Sequence, residues 1–221
     1  MPMKLVSVNV SPPVEVRYGD KSLRTGIFKK PVAGPVRVMR CNLEGDGQAD
    51  LENHGGEHKA VYAYALEHYG YWRAVLAREE MPYGQFGENL TLSGLDESVS
   101  CVGDQLELGS ALFTITQPRV PCYKLGIRLG EASMPRLFSE SARTGFYLRV
   151  LREGVIEAGD SMKLVQRGPG SVTIETLFKA YLRPGDAGAA QILRRGLAVP
   201  ELSPDWRAQI EKRLRPGRQA G

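Results

Sequence analysis

The chain has 221 residues, 42% of them hydrophobic and 24% charged, with a formal net charge of +4. That is ordinary for a globular protein and enough for one sizeable domain plus a small one. No apolar run approaches a membrane span, three scattered cysteines make no disulfide framework, and 25 Gly with 14 Pro argue against a helical bundle.

The first ten residues already alternate as a strand and lack the layout of a secretory leader, so a cytoplasmic protein is expected. Strands are predicted over 4–10, 14–18, 35–43, 60–65, 105–108, 112–116, 146–151 and 162–166, from β-branched and aromatic content and period-two alternation. Many short strands without a βαβ rhythm point to a mainly β fold, a barrel or a sandwich. A helix is predicted over 66–79, where Leu66, Tyr69, Trp72 and Leu76 recur at helical spacing before Met81-Pro82. Residues 123–129 and 134–141 read as further short helices.

Gly168-Pro-Gly170 is the best boundary, giving a domain over 1–167 and a three-helix module over 168–215. In the module, helices are predicted over 172–182, over 186–195 with Asp186 as N-cap, and from Ser203-Pro-Asp-Trp206 to Leu214. Residues 216–221 read as a disordered tail. Residues 167–221 hold 10 basic and 5 acidic side chains, so the module carries the positive excess. A solvated arginine-rich helix surface is the first reading of that charge. Docking of an acidic protein is the second, and nothing points to nucleic acid or a membrane.

Four clusters carry chemistry. Gln117-Pro-Arg-Val-Pro-Cys-Tyr-Lys124 places Cys122 between Arg119 and Lys124, at a strand end and close to a helix start. Nearby positive charge favours the thiolate, which is both nucleophile and soft metal ligand. The stretch 42–61 sets Asp46, Asp50, His54 and Lys59 among glycines that let a ligand approach the backbone. Gly55-Gly56 breaks the helix that a zinc-binding His54/His58 pair would need, and a phosphate loop would need a Gly-Lys-Ser/Thr core that is missing. Phe86-Gly-Glu-Asn-Leu-Thr91 offers Asn89 to a polar ligand or to an Asx-turn. Asp20 to Pro31 concentrates Lys21, Arg24, Thr25, Lys29 and Lys30, some of which could receive an anion.

Taken together, Gly-Asp-Gly-Gln-Ala-Asp50, His54-Gly-Gly56, Phe86-Gly-Glu-Asn-Leu-Thr91 and Gln117-Pro-Arg-Val-Pro-Cys122 resemble the MOSC domain family over about residues 20–165. The match is closest to its bacterial YiiM type, which adds a C-terminal 3-alpha module. The resemblance implies a MOSC-type β-barrel with a few peripheral helices and a bound molybdenum cofactor of the molybdopterin type. It also implies Cys122 as the ligand to molybdenum.

Related members reduce N-hydroxylated compounds such as 6-hydroxylaminopurine and amidoximes. On that pattern Lys21, Arg119 and Lys124, with Thr25, are candidates for the pterin phosphate. Asp50, Asn89 and Gln117 are candidates for the pterin edge, and His54 with Gly55 and Gly56 for the substrate side. Glu57-His58 stands where the family most often has Pro-Asp. The expected activity is reduction of a small N-hydroxylated substrate, with electrons from a separate reductase protein. A cofactor-binding or sulfur-carrier role without turnover, and a cysteine hydrolase using Cys122 and His54, are the alternatives.

Overall fold

The computed structural model describes residues 3–49 and 55–215. The centre is an eight-stranded sheet in the order β13 (Met162–Gln166), β9 (Gln105–Leu108), β10 (Ala111–Pro118), β11 (Phe146–Arg152), β7 (Val61–Ala65), β8 (Leu90–Ser93), β1 (Lys4–Val10) and β4 (Lys30–Val32). Its neighbours are antiparallel except β7 and β8, which run parallel. A small sheet of β12 (Gly154–Ile156), β5 (Val36–Met39) and β6 (Asn42–Leu43) and an exposed hairpin of β2 (Val14–Tyr18) and β3 (Lys21–Thr25) complete the β structure.

The expected barrel is not closed by a continuous ladder among the described residues. The reason lies in β1, which is shared. Its second half pairs with β4 from Val8 to Val10. Only its first residues reach the segment entering β13, through the bridge Lys4–Ser161 and the bonds Leu5 N–H to Asp160 O and Met162 N–H to Met3 O, each 2.9 Å. With six α-helices on the sheet, the fold is mixed and sheet-dominant.

Burial alternates as a two-faced strand requires. On β7, Val61, Ala63 and Ala65 are buried, the first two in the main core, while Tyr62 and Tyr64 enter a separate aromatic cluster. That cluster is closed by Tyr69 and Trp72 of α1 (Glu67–Val75), Leu125 and Leu129 of α2 (Tyr123–Leu129) and Phe138 of α3 (Met134–Ser141). α1 ends earlier than its apolar spacing predicts, because Ala77 turns left-handed (φ 49°). The single strand predicted over 35–43 folds back as β5 and β6, pairing Val38 with Leu43.

The C-terminal helices are α4 (Ile174–Leu182), α5 (Ala189–Leu197) and α6 (Pro204–Leu214). Thr173 and Ser203 cap the first and last, accepting from Thr176 N–H and Trp206 N–H at 3.2 Å each. Asp186 is not a cap. Its carbonyl accepts from Ala189 N–H in a turn, and Gly188 at φ 79° starts the helix. The helices build no core of their own: Ile174, Leu177, Phe178, Leu193, Trp206 and Ile210 join the same buried cluster as the sheet. The predicted tail 216–221 lies outside the described residues.

One shared core should melt once. Trp206→Ala is expected to cost about 3–5 kcal/mol, and the sheet should unfold in the same transition as the helices. Differential scanning calorimetry checks this; two separated transitions in the wild type would refute it.

Candidate functional site

Strand register builds the site. Gln117 on β10 pairs with Tyr147 on β11, and Tyr147 pairs with Tyr62 on β7. Asn89, just before β8, donates its N–H to Tyr62 O at 2.8 Å and accepts from Asn9 N–H at 2.7 Å. Residues opposite one another share a face, so one row crosses the sheet from Gln117 to Asn9. A partly open cleft with a cavity volume of about 90 Å³ lies there. Its walls include Thr25, Gly26, Lys29, Asp46, Gly47, Lys59, Tyr62, Gly87, Asn89, Arg119, Cys122, Lys124 and Tyr147.

Of the candidate residues, the structure brings Thr25, Asn89, Arg119, Cys122 and Lys124 to this cleft. Lys21 is not among its lining residues; it is exposed at the start of β3, opposite Tyr18 in the hairpin. Gln117 is buried in the row beside the cleft wall, and its Oε1 has no hydrogen-bond partner. Gly55 and Gly56 stand outside the lining, where Gly56 N–H donates to Gln48 Oε1 at 3.0 Å. Asp50 and His54 lie outside the described residues.

Cys122 is half-buried and is the N-cap residue of α2, with extended backbone (φ −123°, ψ 171°). Arg119 is buried beside it. Its guanidinium lies 4.6 Å from the centroid of the Tyr62 ring and 5.7 Å from that of Phe138, and it donates to Phe86 O. Burial works against the Arg119 charge, but the negative charge that Tyr62, Tyr147 and Cys122 carry when ionised, with a hydrogen bond to Tyr62, holds its pKa above the ordinary value. Burial raises the phenols of Tyr62 and Tyr147 in turn, so both stay protonated.

Asn89 is a strut. Its Oδ1 accepts from Tyr62 N–H at 3.0 Å, and its Nδ2 donates to Asp46 Oδ2 at 2.9 Å and Asn9 O at 3.3 Å. Asp46 also accepts from Ser11 N–H at 3.0 Å and pairs with the buried Lys29. Burial pushes the Lys29 ammonium below its ordinary pKa, and Asp46 opposes that shift.

Glu88 is a second strut, missed by the sequence reading. It accepts from Gly84 N–H (2.9 Å), Phe86 N–H (3.0 Å), Thr91 Oγ1 (3.1 Å) and the Tyr69 hydroxyl. It thereby fixes the loop that presents Phe86 O to Arg119 and Gly87 to the cleft. Burial nonetheless raises its pKa. Tyr62, Tyr147 and Glu88 escaped notice because their roles depend on cross-strand pairing. Only the run Phe86-Gly-Glu-Asn89 hinted at the last.

The chemistry on offer is one soft thiol, several cations and close-packed backbone. A Cβ on Gly26 would lie 2.5 Å from Gly47 O, so the two main chains meet where only glycine fits. Among the described residues no group of three or more His, Cys, Asp or Glu is placed to hold a metal ion. A metal at Cys122 must therefore bring most of its own ligands. No helix among them is long and apolar enough to cross a membrane.

The Lys29–Asp46 pair is testable by itself. Asp46→Ala strands a buried ammonium and should cost about 3–5 kcal/mol in urea unfolding. Lys29→Met with Asp46→Leu should cost clearly less, since no charge is left unpaired. Equal losses would show that the pair's charges do not matter.

Residues 50–163 match the family model described as the MOSC domain, and residues 172–217 match the YiiM-like, 3-alpha helix domain. The uncharacterized protein YflK of Bacillus subtilis (strain 168) is 39% identical over 209 residues, covering 95% of this chain and 93% of that protein. The crystal structure of YiiM from Geobacillus stearothermophilus superposes with a TM-score of 0.81 at 38% identity, covering 96% of this chain and all of that one. A Gibberella moniliformis (strain M3125 / FGSC 7600) protein named "Reductase" is 35% identical over 151 residues, covering 66% of this chain and 26% of that protein.

Proposed function

Because the chain belongs to the MOSC domain family and carries a YiiM-like 3-alpha helix domain behind it, we propose that it is a molybdenum-cofactor-dependent oxidoreductase that reduces N-hydroxylated compounds to amines. The observation that carries this reading is the Cys122 thiol on the wall of a cationic cleft, beside Arg119. A pterin dithiolene brings two sulfurs, so one protein thiolate suffices, and the lack of a larger donor group among the described residues fits that chemistry. The cations and glycine-lined backbone fit a phosphate-bearing ligand.

In this reading Cys122 would hold the metal through Sγ. Lys124, Arg119 and Lys59 would receive the phosphate, and the main chain at Gly26, Gly47 and Gly87 would leave room for the pterin. The bound cofactor supplies a metal centre able to accept an oxygen atom from an N–OH group. The net change breaks the N–O bond, takes up two electrons and two protons, and releases an amine and water. The buried ring of Tyr62, with Phe138, packs against the Arg119 guanidinium and keeps it in place.

Electrons come from a separate protein in this reading. Three cysteines cannot bind a four-cysteine cluster, and no Gly-x-Gly-x-x-Gly opens a helix. Most of the Gibberella "Reductase" lies outside its match to this chain, which is compatible with a donor carried elsewhere. Exposed Arg183, Arg194 and Lys212 of the helical module offer that donor a docking face.

Cys122→Ser should lose turnover of an N-hydroxylated base with reduced viologen and should lose molybdenum, while its circular dichroism stays native. Cys41→Ser and Cys101→Ser should keep both. Retained activity in Cys122→Ser would overturn the proposal. Wild-type protein that binds molybdenum but never turns over would favour the carrier role instead.

Lys124→Ala should retain the cofactor about one to two decades more weakly, read as molybdenum left after dialysis. Turnover with a protein donor should fall as salt rises while viologen turnover does not, because exposed charges are screened.

A further inference from the structure

Ser203-Pro-Asp-Trp206 reads as a helix start, and Ser203 and Pro204 suffice for that. Asp205 needs no further role, since an acid in the first turn is favoured by the helix dipole. Its carboxylate, however, lies 2.5 Å from the Nζ of Lys59, on the cleft wall. The Lys59 side chain is 10% exposed and that of Asp205 is 55% exposed. The helical module therefore reaches a cation of the site from the solvent side.

Both partners are pegged to one residue of the sheet. Thr116 on β10 donates from Oγ1 to His58 O at 2.6 Å, fixing the 3-10 turn Glu57–Lys59. The carbonyl of Thr116 accepts from Ser203 N–H at 3.4 Å, fixing the start of α6. Trp206, fully buried and 4.7 Å from the Tyr181 ring, locks that helix into the core. Arg40 holds the other side of the turn through Glu57 at 2.5 Å. The Lys59–Asp205 pair closes the triangle between turn, strand and helix.

We infer that Asp205 is a positioning residue of the cleft, acting through Lys59 to hold its ammonium where an anionic, phosphate-type group of a ligand is received. The inference rests on the reading of the cleft as an anion-binding site. A lysine side chain loses rotamer freedom on binding a ligand. Asp205 meets part of that cost in advance. The carboxylate also has an opposing effect, because its charge repels the anion. The two roles therefore differ in sign. By charge alone, Asp205→Asn should tighten anion binding; by positioning, it should weaken it.

The test is titration of the full chain with inorganic phosphate, followed by NMR at the Lys59 and Ala60 amides. Asp205→Asn is expected to weaken phosphate binding by about two- to tenfold despite the gain in net charge. In a Lys59→Ala background the same change should have no further effect, and Asp205→Glu should recover part of the loss. Arg194→Gln, exposed on α5, controls for a general charge effect. Tighter or unchanged binding in Asp205→Asn would overturn the inference. So would an equal loss with and without Lys59, or a wild type that binds no phosphate. Molybdenum content of the wild type is measured separately. A protein without molybdenum that still shows this pattern would sink the oxidoreductase reading and leave the positioning role standing.

Discussion

Keeping four cations on one cleft is the constraint around which this molecule is arranged. Lys29, Lys59, Arg119 and Lys124 all line it, with Asp46 the one acid among the described lining residues. Like charges at such range disfavour one another, and Arg119 adds a small part to the lowering of the Lys29 pKa that burial mainly causes. Three of these cations are held by different means. Lys29 has a buried carboxylate, Lys59 a carboxylate from the far end of the chain, and Arg119 two aromatic faces and a carbonyl. A fold that spends this much structure on unlike supports is built to present positive charge to a ligand.

Those supports explain why the aromatic cluster is segregated from the main core. Arg119 needs a π-face on either side, and a guanidinium in a purely aliphatic core would lose its charge-stabilising surroundings. The β7 alternation sends Tyr62 and Tyr64 to one face and the small aliphatics to the other. α1 and α3 then close the aromatic face with Trp72 and Phe138, whose rings stack at 5.6 Å. Glu88 and Asn89, adjacent in sequence, divide the remaining work. The first braces the loop carrying Phe86 O, and the second braces Asp46, which braces Lys29.

How much of this was legible followed the range of the interaction. Strands with clean alternation, the helix cap at Ser203, and the cysteine between cations are visible, because each is written in neighbouring residues. Thr25, Asn89, Arg119 and Lys124 were reachable through the family resemblance. Lys21 is a phosphate candidate as a cation on the family pattern, yet the hairpin carries it to the end of β3 opposite Thr25. Asn89, a candidate ligand residue or Asx-turn by sequence, lines the cleft and also bridges two backbones and the Asp46 carboxylate. The strand ladder does not close among the described residues because β1 divides its free edge between β4 and the segment before β13, a detail that composition cannot express.

The helical module shows the same limit from the side of charge. Its excess of arginine suggested a surface for a partner, but several of those side chains have tasks inside the molecule. Arg207 donates to Leu197 O and Val199 O, closing the end of α5. Arg195 donates to Gly170 O at the domain junction, and Arg213 stacks 3.8 Å from the centre of the Tyr181 ring. Net charge counts these as if they were free for binding. Once they are set aside, the basic face left for a donor is narrower and lies at Arg183 after α4, on α5 and at the end of α6. One of the module's five acids, Asp205, turns the other way, onto Lys59 of the cleft wall. A module that shares the core and supplies a carboxylate to a site cation is better understood as part of the site than as an appended docking platform.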